Sequence, residues 1–313
     1  MHNLPEITKL NLKKLISEEK LSHLRANYQQ LSDDYKAHRF RREISYGDAV
    51  AYACARMPAT YNTIMYVLGE FHKKMPNFHA DSVLDIGSGT GALMSAFISY
   101  NISPDYTAIE KSVNMKKVSE KLVENSPLKV KFQNKDILEF FKSNRANYDC
   151  TFLVYSFNEF KDKEKILDEI DKITTKCIFL IEPGTPEGFN NIKLIKELAR
   201  NKSCAVIAPC AADICPLSPK DWCHFSVRLP RNANHTFIKN AKLSYEDEKF
   251  CYIIISKDSS ENLSENRIIK RPIKRVGHMI FDTCTSEGIK RFTISNKVID
   301  KKPSWGDELK TSK

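Results

Sequence analysis

The spacing of apolar positions changes several times along the chain. Up to residue 45, Leu10, Leu12, Leu15, Ile16, Leu21, Leu24, Tyr28 and Leu31 recur at helical intervals in a polar background, predicting polar helices. YGDAVAYACARMPATYNTIMYVLGEFHKKM (46–75) predicts two further helices, broken near Pro58, with Thr60 capping the second. From 81 strands and helices alternate. DSVLDIG (81–87), DYTAIEK (105–111), LKVKFQN (128–134), YDCTFLVYS (148–156) and KCIFLIE (176–182) read as strands. ALMSAFIS (92–99), MKKVSEKLVEN (115–125), FKDKEKILDEIDKI (160–173) and NNIKLIKELARN (190–201) read as the helices between and after them. Such alternation gives an α/β fold with a parallel sheet covered by helices on both faces.

After 204 the rhythm breaks. A Cys-rich loop spans 209–223, and HFSVRLPR (224–231) and KFCYIIISKD (249–258) read as strands closing the sheet antiparallel. A polar linker (259–267) leads to RIIKRPIKRVGHMIFDTC (267–284) and IKRFTISNK (289–297), a small β extension with a basic lead-in. The expected domains are an N-terminal helical region (1–78), an α/β domain (79–258) and a basic C-terminal β extension (259–313) that completes a metal site.

Composition narrows the class. The 313 residues are 42% hydrophobic and 28% charged, with ordinary Gly and Pro, which excludes collagen-like and low-complexity chains. No apolar run approaches the roughly 18 residues of a membrane span, so no membrane partner is expected. The start, MHNLPEITKLNLKKLISEEK, lacks the apolar core of a signal peptide, and Glu6, Glu18 and Glu19 are unlike a mitochondrial presequence. With Lys/Asn/Ile-rich usage, this points to a bacterial cytoplasm, with the mitochondrial matrix as the alternative. A monomer is expected. Lys plus Arg exceed Asp plus Glu by 49 − 39 = +10, which suits a polyanion such as RNA and equally suits a well-solvated surface.

Gly87-Ser88-Gly89-Thr90-Gly91 follows an apolar strand and precedes a helix. A turn of this kind lets backbone approach a ligand beside free helix N–H groups. Its G-x-G-x-G spacing is not the G-x-G-x-x-G dinucleotide fingerprint. With Asp85 at the strand end it resembles the first motif of class I S-adenosylmethionine-dependent methyltransferases, a Rossmann-like fold. The resemblance implies that Gly87, Ser88, Gly89 and Gly91 pack on the methionine part of the cofactor, with Asp85 supporting its ammonium. Glu110 ends the next strand, where a carboxylate can accept both ribose hydroxyls. Asp136, after the third strand, stands where that family meets the adenine amino group.

Nine cysteines without a secretory signal argue against a disulfide framework and for metal. Cys210, Cys215 and Cys223 form C-x4-C-x7-C and need a fourth donor. Cys204, Cys251, Cys284 and His224 are candidates. Cys204 and Cys251 lie in apolar runs where buried thiols are common, whereas Cys284 ends a strand at a turn. Zinc knuckles use shorter gaps, so the spacing favours a [4Fe–4S] cluster over zinc. Unligated thiols, or Pro209-Cys210 as the Pro-Cys of an RNA cytosine-C5 methyltransferase, are the other readings. Trp222, His224 and Phe225 are expected to shield the cluster.

Together these motifs resemble the methyltransferase-like small-ribosomal-subunit family, mitoribosomal small-subunit assembly factors with bacterial homologues. The resemblance runs from about 46 to 307, through YGDAVAYACARMPATY (46–61), VLDIGSGTGAL (83–93), LIEPGTPEGF (180–189), CPLSPKDWCHFSVRLPR (215–231), GHMIFDTCTSEG (277–288) and WGD (305–307). It implies an iron–sulfur cluster on Cys210, Cys215, Cys223 and Cys284, and association with small-subunit rRNA during assembly.

No Asn/Asp-Pro-Pro-Tyr/Phe motif follows the fourth strand, where the chain reads Tyr155-Ser156-Phe157-Asn158-Glu159-Phe160. Asn158 and Glu159 are expected either to bind substrate or to cap the next helix. The catalytic residues are thus not identified, and two readings stand: an RNA methyltransferase, or an assembly factor that binds cofactor without turnover. A small-molecule methyltransferase with a zinc site is the third. For RNA contact the sequence offers Arg267, Lys270, Arg271, Lys274 and Arg275, with Arg39, Arg41 and Arg42 as a second cluster.

Overall fold

A computed structural model describes residues 2–37, 43–257, 265–299 and 302–310. The cluster Arg39, Arg41 and Arg42 lies outside the described residues. Four helices come first: α1 (Glu6–Ser17), α2 (Leu21–Lys36), α3 (Tyr46–Ala55) and α4 (Met57–Lys74). Ser45 starts α3 with a reciprocal cap: its hydroxyl accepts from Asp48 N, and Asp48 accepts from Ser45 N, both at 3.1 Å. The expected break near Pro58 falls at Arg56 instead. Pro58 sits in the first turn of α4, where its missing N–H leaves nothing unsatisfied. Thr60 therefore lies inside the helix and caps nothing; its hydroxyl donates to the Arg56 carbonyl (3.4 Å).

The alternating region follows as β1 (Ser82–Ile86), α5 (Ala92–Tyr100), β2 (Asp105–Ile109), α6 (Val113–Leu122), β3 (Val130–Gln133), α7 (Ile137–Ser143), β4 (Tyr148–Val154), α8 (Lys163–Ile173), β5 (Thr174–Pro183), α9 (Pro186–Asn201) and β6 (Ala205–Ala208). Then come β7 (Phe225–Pro230), α10 (Ala233–Ile238), β8 (Tyr245–Ser256), β9 (Arg267–Ile268), β10 (Ile273–Lys274), β11 (His278–Thr285) and β12 (Gly288–Ser295). Among the described residues no helix is long and apolar enough to cross a membrane.

By its internal contacts the chain divides into two interleaved units. The first comprises Met1–Leu68, His79–Val154 and Val227–Glu248; the second Gly69–Phe78, Tyr155–Ser226 and Lys249–Lys313. The reason is packing between segments far apart in sequence. In the first unit α1 docks on the sheet helices: Asn11 donates to the Leu122 and Glu124 carbonyls (3.3 and 3.0 Å). Here β3-β2-β1-β4 run parallel, with Leu84 paired to Thr107 on one side and Thr151 on the other. Val83, Leu84, Asp85 and Ile86 are all buried, as a strand covered on both faces requires.

In the second unit β8 lies antiparallel between β5 and β6, as expected. The hairpin β11–β12 also belongs here. Along β11 burial alternates strictly: Met279, Phe281, Thr283 and Thr285 are buried, while Ile280, Asp282 and Cys284 on the other face are half-buried. Ile268, Met279, Phe281 and Leu309 form a small core on the first of these faces. Cys284 is thereby turned away from that core.

Candidate functional site

Two places carry the chemistry, one in each unit. In the first, the turn after β1 is tied to the end of β2: Gly87 N and Ser88 N both donate to the Ile109 carbonyl (2.9 and 3.0 Å). Gly89 (φ 53°) and Gly91 (φ 86°) adopt the left-handed region that a side chain strains. A Cβ at Gly89 would meet nothing within 4 Å, so the backbone there is open to a close ligand. Gly91 starts α5. Gly87, Ser88, Gly89 and Asp85 line one cavity with Tyr52, Met57, Thr60 and Ile64 from α3 and α4. The Ser88 hydroxyl in this wall is buried without a hydrogen-bond partner.

Glu110 is placed at the end of β2 as expected, and the structure gives it a second task. Its carboxylate accepts from Gly89 N (2.9 Å) and Ser112 N (2.7 Å), bracing the glycine turn. Asp136 is exposed and caps α7, accepting from Leu138 N (2.9 Å). Neither Glu110 nor Asp136 is in the cavity wall. Asp85 is buried and accepts from the Tyr106 hydroxyl (2.7 Å). Burial pushes its carboxyl up to about 7, the Tyr106 hydrogen bond opposing and the Glu110 charge adding.

In the second unit Glu182, near the end of β5, is wholly buried. Its Oε2 accepts from Asn191 (2.7 Å), whose own oxygen accepts from Lys163 (2.9 Å). Burial raises this carboxyl to about 7, opposed by the Asn191 hydrogen bond, the Lys163 charge and hydrogen bonds from the Phe157 and Asn158 backbone. Asn158 and Glu159 form a 3-10 turn, Glu159 exposed, and neither caps α8; Asp162 does, accepting from Lys165 N (3.3 Å). A carboxyl with a folded pKa above its unfolded value holds its proton more tightly when folded. Its stabilisation is therefore complete below about pH 4 and lost as pH rises through about 7. Melting temperature is expected to fall across that window, and Asp85→Asn with Glu182→Gln to flatten the fall. A wild-type profile already flat between those limits would contradict the assignment.

The cysteine loop begins where β6 ends. Cys210, Cys215 and Cys223 from the loop and Cys284 from β11 line one cavity. Lys196 of α9 and Arg267 line it too. Of the four candidates for a fourth donor, Cys284 alone is in this wall. Burial pushes the Cys210 and Cys284 thiols up and the Cys223 thiol well up, with charge on neighbouring thiols adding. All nine cysteines are free thiols. Among the described residues no three His, Cys, Asp or Glu side chains stand in position to hold a metal ion.

Side chains outside that cavity wall shape this loop. The Cys251 thiol, buried in β8, donates to the Cys223 carbonyl (3.0 Å), so Cys251 is a support of the site rather than a bystander. The Trp222 indole N–H donates to the Gly184 carbonyl (3.2 Å). His224 stacks on Trp222 (centroids 5.9 Å) and meets Trp305 edge-on (5.0 Å). Of the three rings expected to shield the cysteines, Phe225 lines their cavity and Trp222 and His224 do not.

The basic stretch needs one correction. Arg267 is only 1% exposed and cannot meet RNA. Its guanidinium pairs with Glu70 and Glu308 and donates to the Gly306 and Pro209 carbonyls. A charge inside the protein is retained only where it is paired and hydrogen-bonded, and Glu70 supplies that pairing from α4. Lys270, Arg271, Lys274 and Arg275 are exposed.

The order 3-2-1-4 of the parallel strands, the antiparallel strand between the fifth and sixth, and the glycine turn after β1 define a class I S-adenosylmethionine methyltransferase fold. The chain belongs to the family described as mitochondrial small ribosomal subunit Rsm22, whose model matches residues 46–310. It is 24% identical to the human mitochondrial ribosome assembly protein METTL17 over 270 residues, 79% of this chain and 58% of that protein. It is 22% identical to the mitochondrial Rsm22-cox11 tandem protein 2 of Schizosaccharomyces pombe, covering 97% of this chain and 48% of that one. The chain thus spans about half the length of the curated relatives it matches. Among solved structures it is similar to the plantazolicin methyltransferase BpumL bound to a substrate analogue and SAH (15% identity, 79% of this chain and 98% of that one, TM-score 0.46). It is also similar to the magnesium protoporphyrin IX methyltransferase of Synechocystis with SAH (8%, 76% and 99%, TM-score 0.39).

Proposed function

We propose that this chain binds S-adenosylmethionine at the glycine turn and acts on the small ribosomal subunit during its assembly. The observation that carries the cofactor is the cavity at Gly87–Thr90, open above Gly89 and holding a partnerless Ser88 hydroxyl. These residues fit the cofactor: backbone that tolerates close approach, a buried hydroxyl awaiting a partner, and Asp85 beside it. Gly87, Ser88, Gly89, Gly91 and Asp85 would hold its methionine end, Glu110 its ribose and Asp136 its adenine. When bound, the cofactor supplies an activated methyl group. The ribosomal partner rests on the family and on the printed names of the relatives.

Cys210, Cys215, Cys223 and Cys284 fit a metal group by donor chemistry, being four soft sulfurs around one space. We assign them a [4Fe–4S] cluster, with zinc as the alternative, because the C-x4-C-x7-C gaps are longer than those of zinc knuckles. Such a group supplies a cross-link between the loop and β11. The exposed Lys270, Arg271, Lys274 and Arg275 offer phosphate contacts for rRNA. The relatives are mitochondrial by name, which favours the matrix over the bacterial cytoplasm.

Glu110→Ala is expected to weaken S-adenosylmethionine binding by about 1.5–3 kcal/mol, both by removing an acceptor and by releasing Gly89 N. Titration calorimetry giving the wild-type affinity would remove the cofactor site from this turn. Catalysis is a second question, and Glu182 favours it: a buried carboxyl at the strand end can hold a proton near neutrality. Incubation with small-subunit precursors and methyl-labelled cofactor separates the two readings, since RNA gains label only if the methyl group moves.

A further inference from the structure

Lys196 lies on α9 between the buried residues Ile195 and Ala199, on a face where apolar side chains are the rule. It is only 8% exposed. Its ammonium donates to the Ala212 carbonyl (2.6 Å), midway along the Cys210–Cys215 segment. Its side chain lines the same cavity as Cys210, Cys215, Cys223 and Cys284.

The other cation in that wall, Arg267, is already neutralised by Glu70 and Glu308. Lys196 has no carboxylate partner among the described residues. A buried ammonium held by one carbonyl is costly unless an opposite charge stands nearby. A leucine or methionine would suit this helix face without that cost. Four ligating thiolates carry more negative charge than either a zinc ion or a [4Fe–4S] core returns. The loaded site is therefore anionic whichever metal it takes, and an unpaired buried cation is what such a site requires.

We propose that Lys196 is the counter-cation of the cysteine site, offsetting the charge of the loaded thiolates and fixing the loop between its first two ligands through Ala212. This rests on the reading of the four cysteines as a metal site. It makes Lys196 a positioning residue that acts through the ligands and touches no substrate.

The test uses the full chain, purified without oxygen and reconstituted with ferrous iron and sulfide, as wild type, Lys196→Met and Lys196→Arg. Metal retention against a chelator, the midpoint reduction potential and the melting temperature of the metal-free form are measured. Lys196→Met is expected to hold metal about 10- to 100-fold more weakly, as for other residues that support ligands. Its potential should move to more negative values, because reduction adds charge no longer compensated. Its metal-free form should melt no lower than wild type, since an unpaired buried charge has gone. Lys196→Arg should stay near wild type in all three. Unchanged retention and potential in Lys196→Met would overturn the inference, and so would equal losses in the Met and Arg variants, which would mark a role of shape. A wild-type chain that retains neither iron nor zinc would overturn the metal reading and this inference with it.

Discussion

Arg267→Met is expected to destabilise the second unit by about 3 kcal/mol, the lower end of what breaking a buried ion pair costs. The arginine is 1% exposed, and its guanidinium joins three segments: Glu70 of α4, Pro209 at the start of the cysteine loop, and Gly306 and Glu308 after β12. Methionine fills much of the volume but leaves two carboxylates without their main partner. The cost stays at the lower end because Lys73 remains on Glu70 (2.5 Å) and Lys74 on Glu308 (2.7 Å). Urea unfolding reads the difference directly. Adding Glu70→Gln should return part of the loss, because the stranded charge is then removed. A loss below about 0.5 kcal/mol, the usual range for an exposed substitution, would put Arg267 back on the surface.

Cys284→Ser should abolish metal retention and loosen β11 and β12. Cys284 is the one thiol in the cavity wall that does not come from the 209–223 loop. It sits opposite Ile289 in the hairpin, on the face away from the Met279 and Phe281 core. The hairpin is also held by pairing of β11 with β9 and β10 and by the small core with Ile268 and Leu309. Metal ligation contributes folding free energy outright, on the order of 10 kcal/mol for structural zinc. Hydrogen exchange should therefore show β11 and β12 opening more often in the serine variant than in loaded wild type. Cys251→Ser keeps a donor to the Cys223 carbonyl and is expected to retain metal, whereas Cys251→Ala loses that bond and should retain less. Full metal content in the Cys284 variant would refute the ligand choice.

The alternating half of the fold was legible because strands covered on both faces carry near-continuous apolar runs, as in Cys177–Ile181. Helices α7 and α10 were not, being 7 and 6 residues long, about two turns, too short for a helical period to declare itself. The glycine turn could be read because its chemistry is local. The burial of Arg267 could not: it depends on Glu70, 197 residues earlier, and in sequence Arg267 is one more cation in a basic run. Lys196 was hidden for the same reason, looking like an ordinary charge on an amphipathic helix until the fold brings Cys210 and Cys284 to it. Cys251 was recognised as buried, and only the geometry shows that it faces the Cys223 carbonyl.

Tyr52, Met57, Thr60 and Ile64 come from helices that precede β1, yet they wall the space above the glycine turn. A molecule held there is gripped by stretches of chain that meet only in the folded first unit, so it binds the native form and not the unfolded one. Mass action then adds stability in proportion to the logarithm of its free concentration, about 2.7 kcal/mol at a hundredfold excess over Kd. Survival of the chain in a cell would thus track the supply of methyl donor, even if no methyl group ever leaves it.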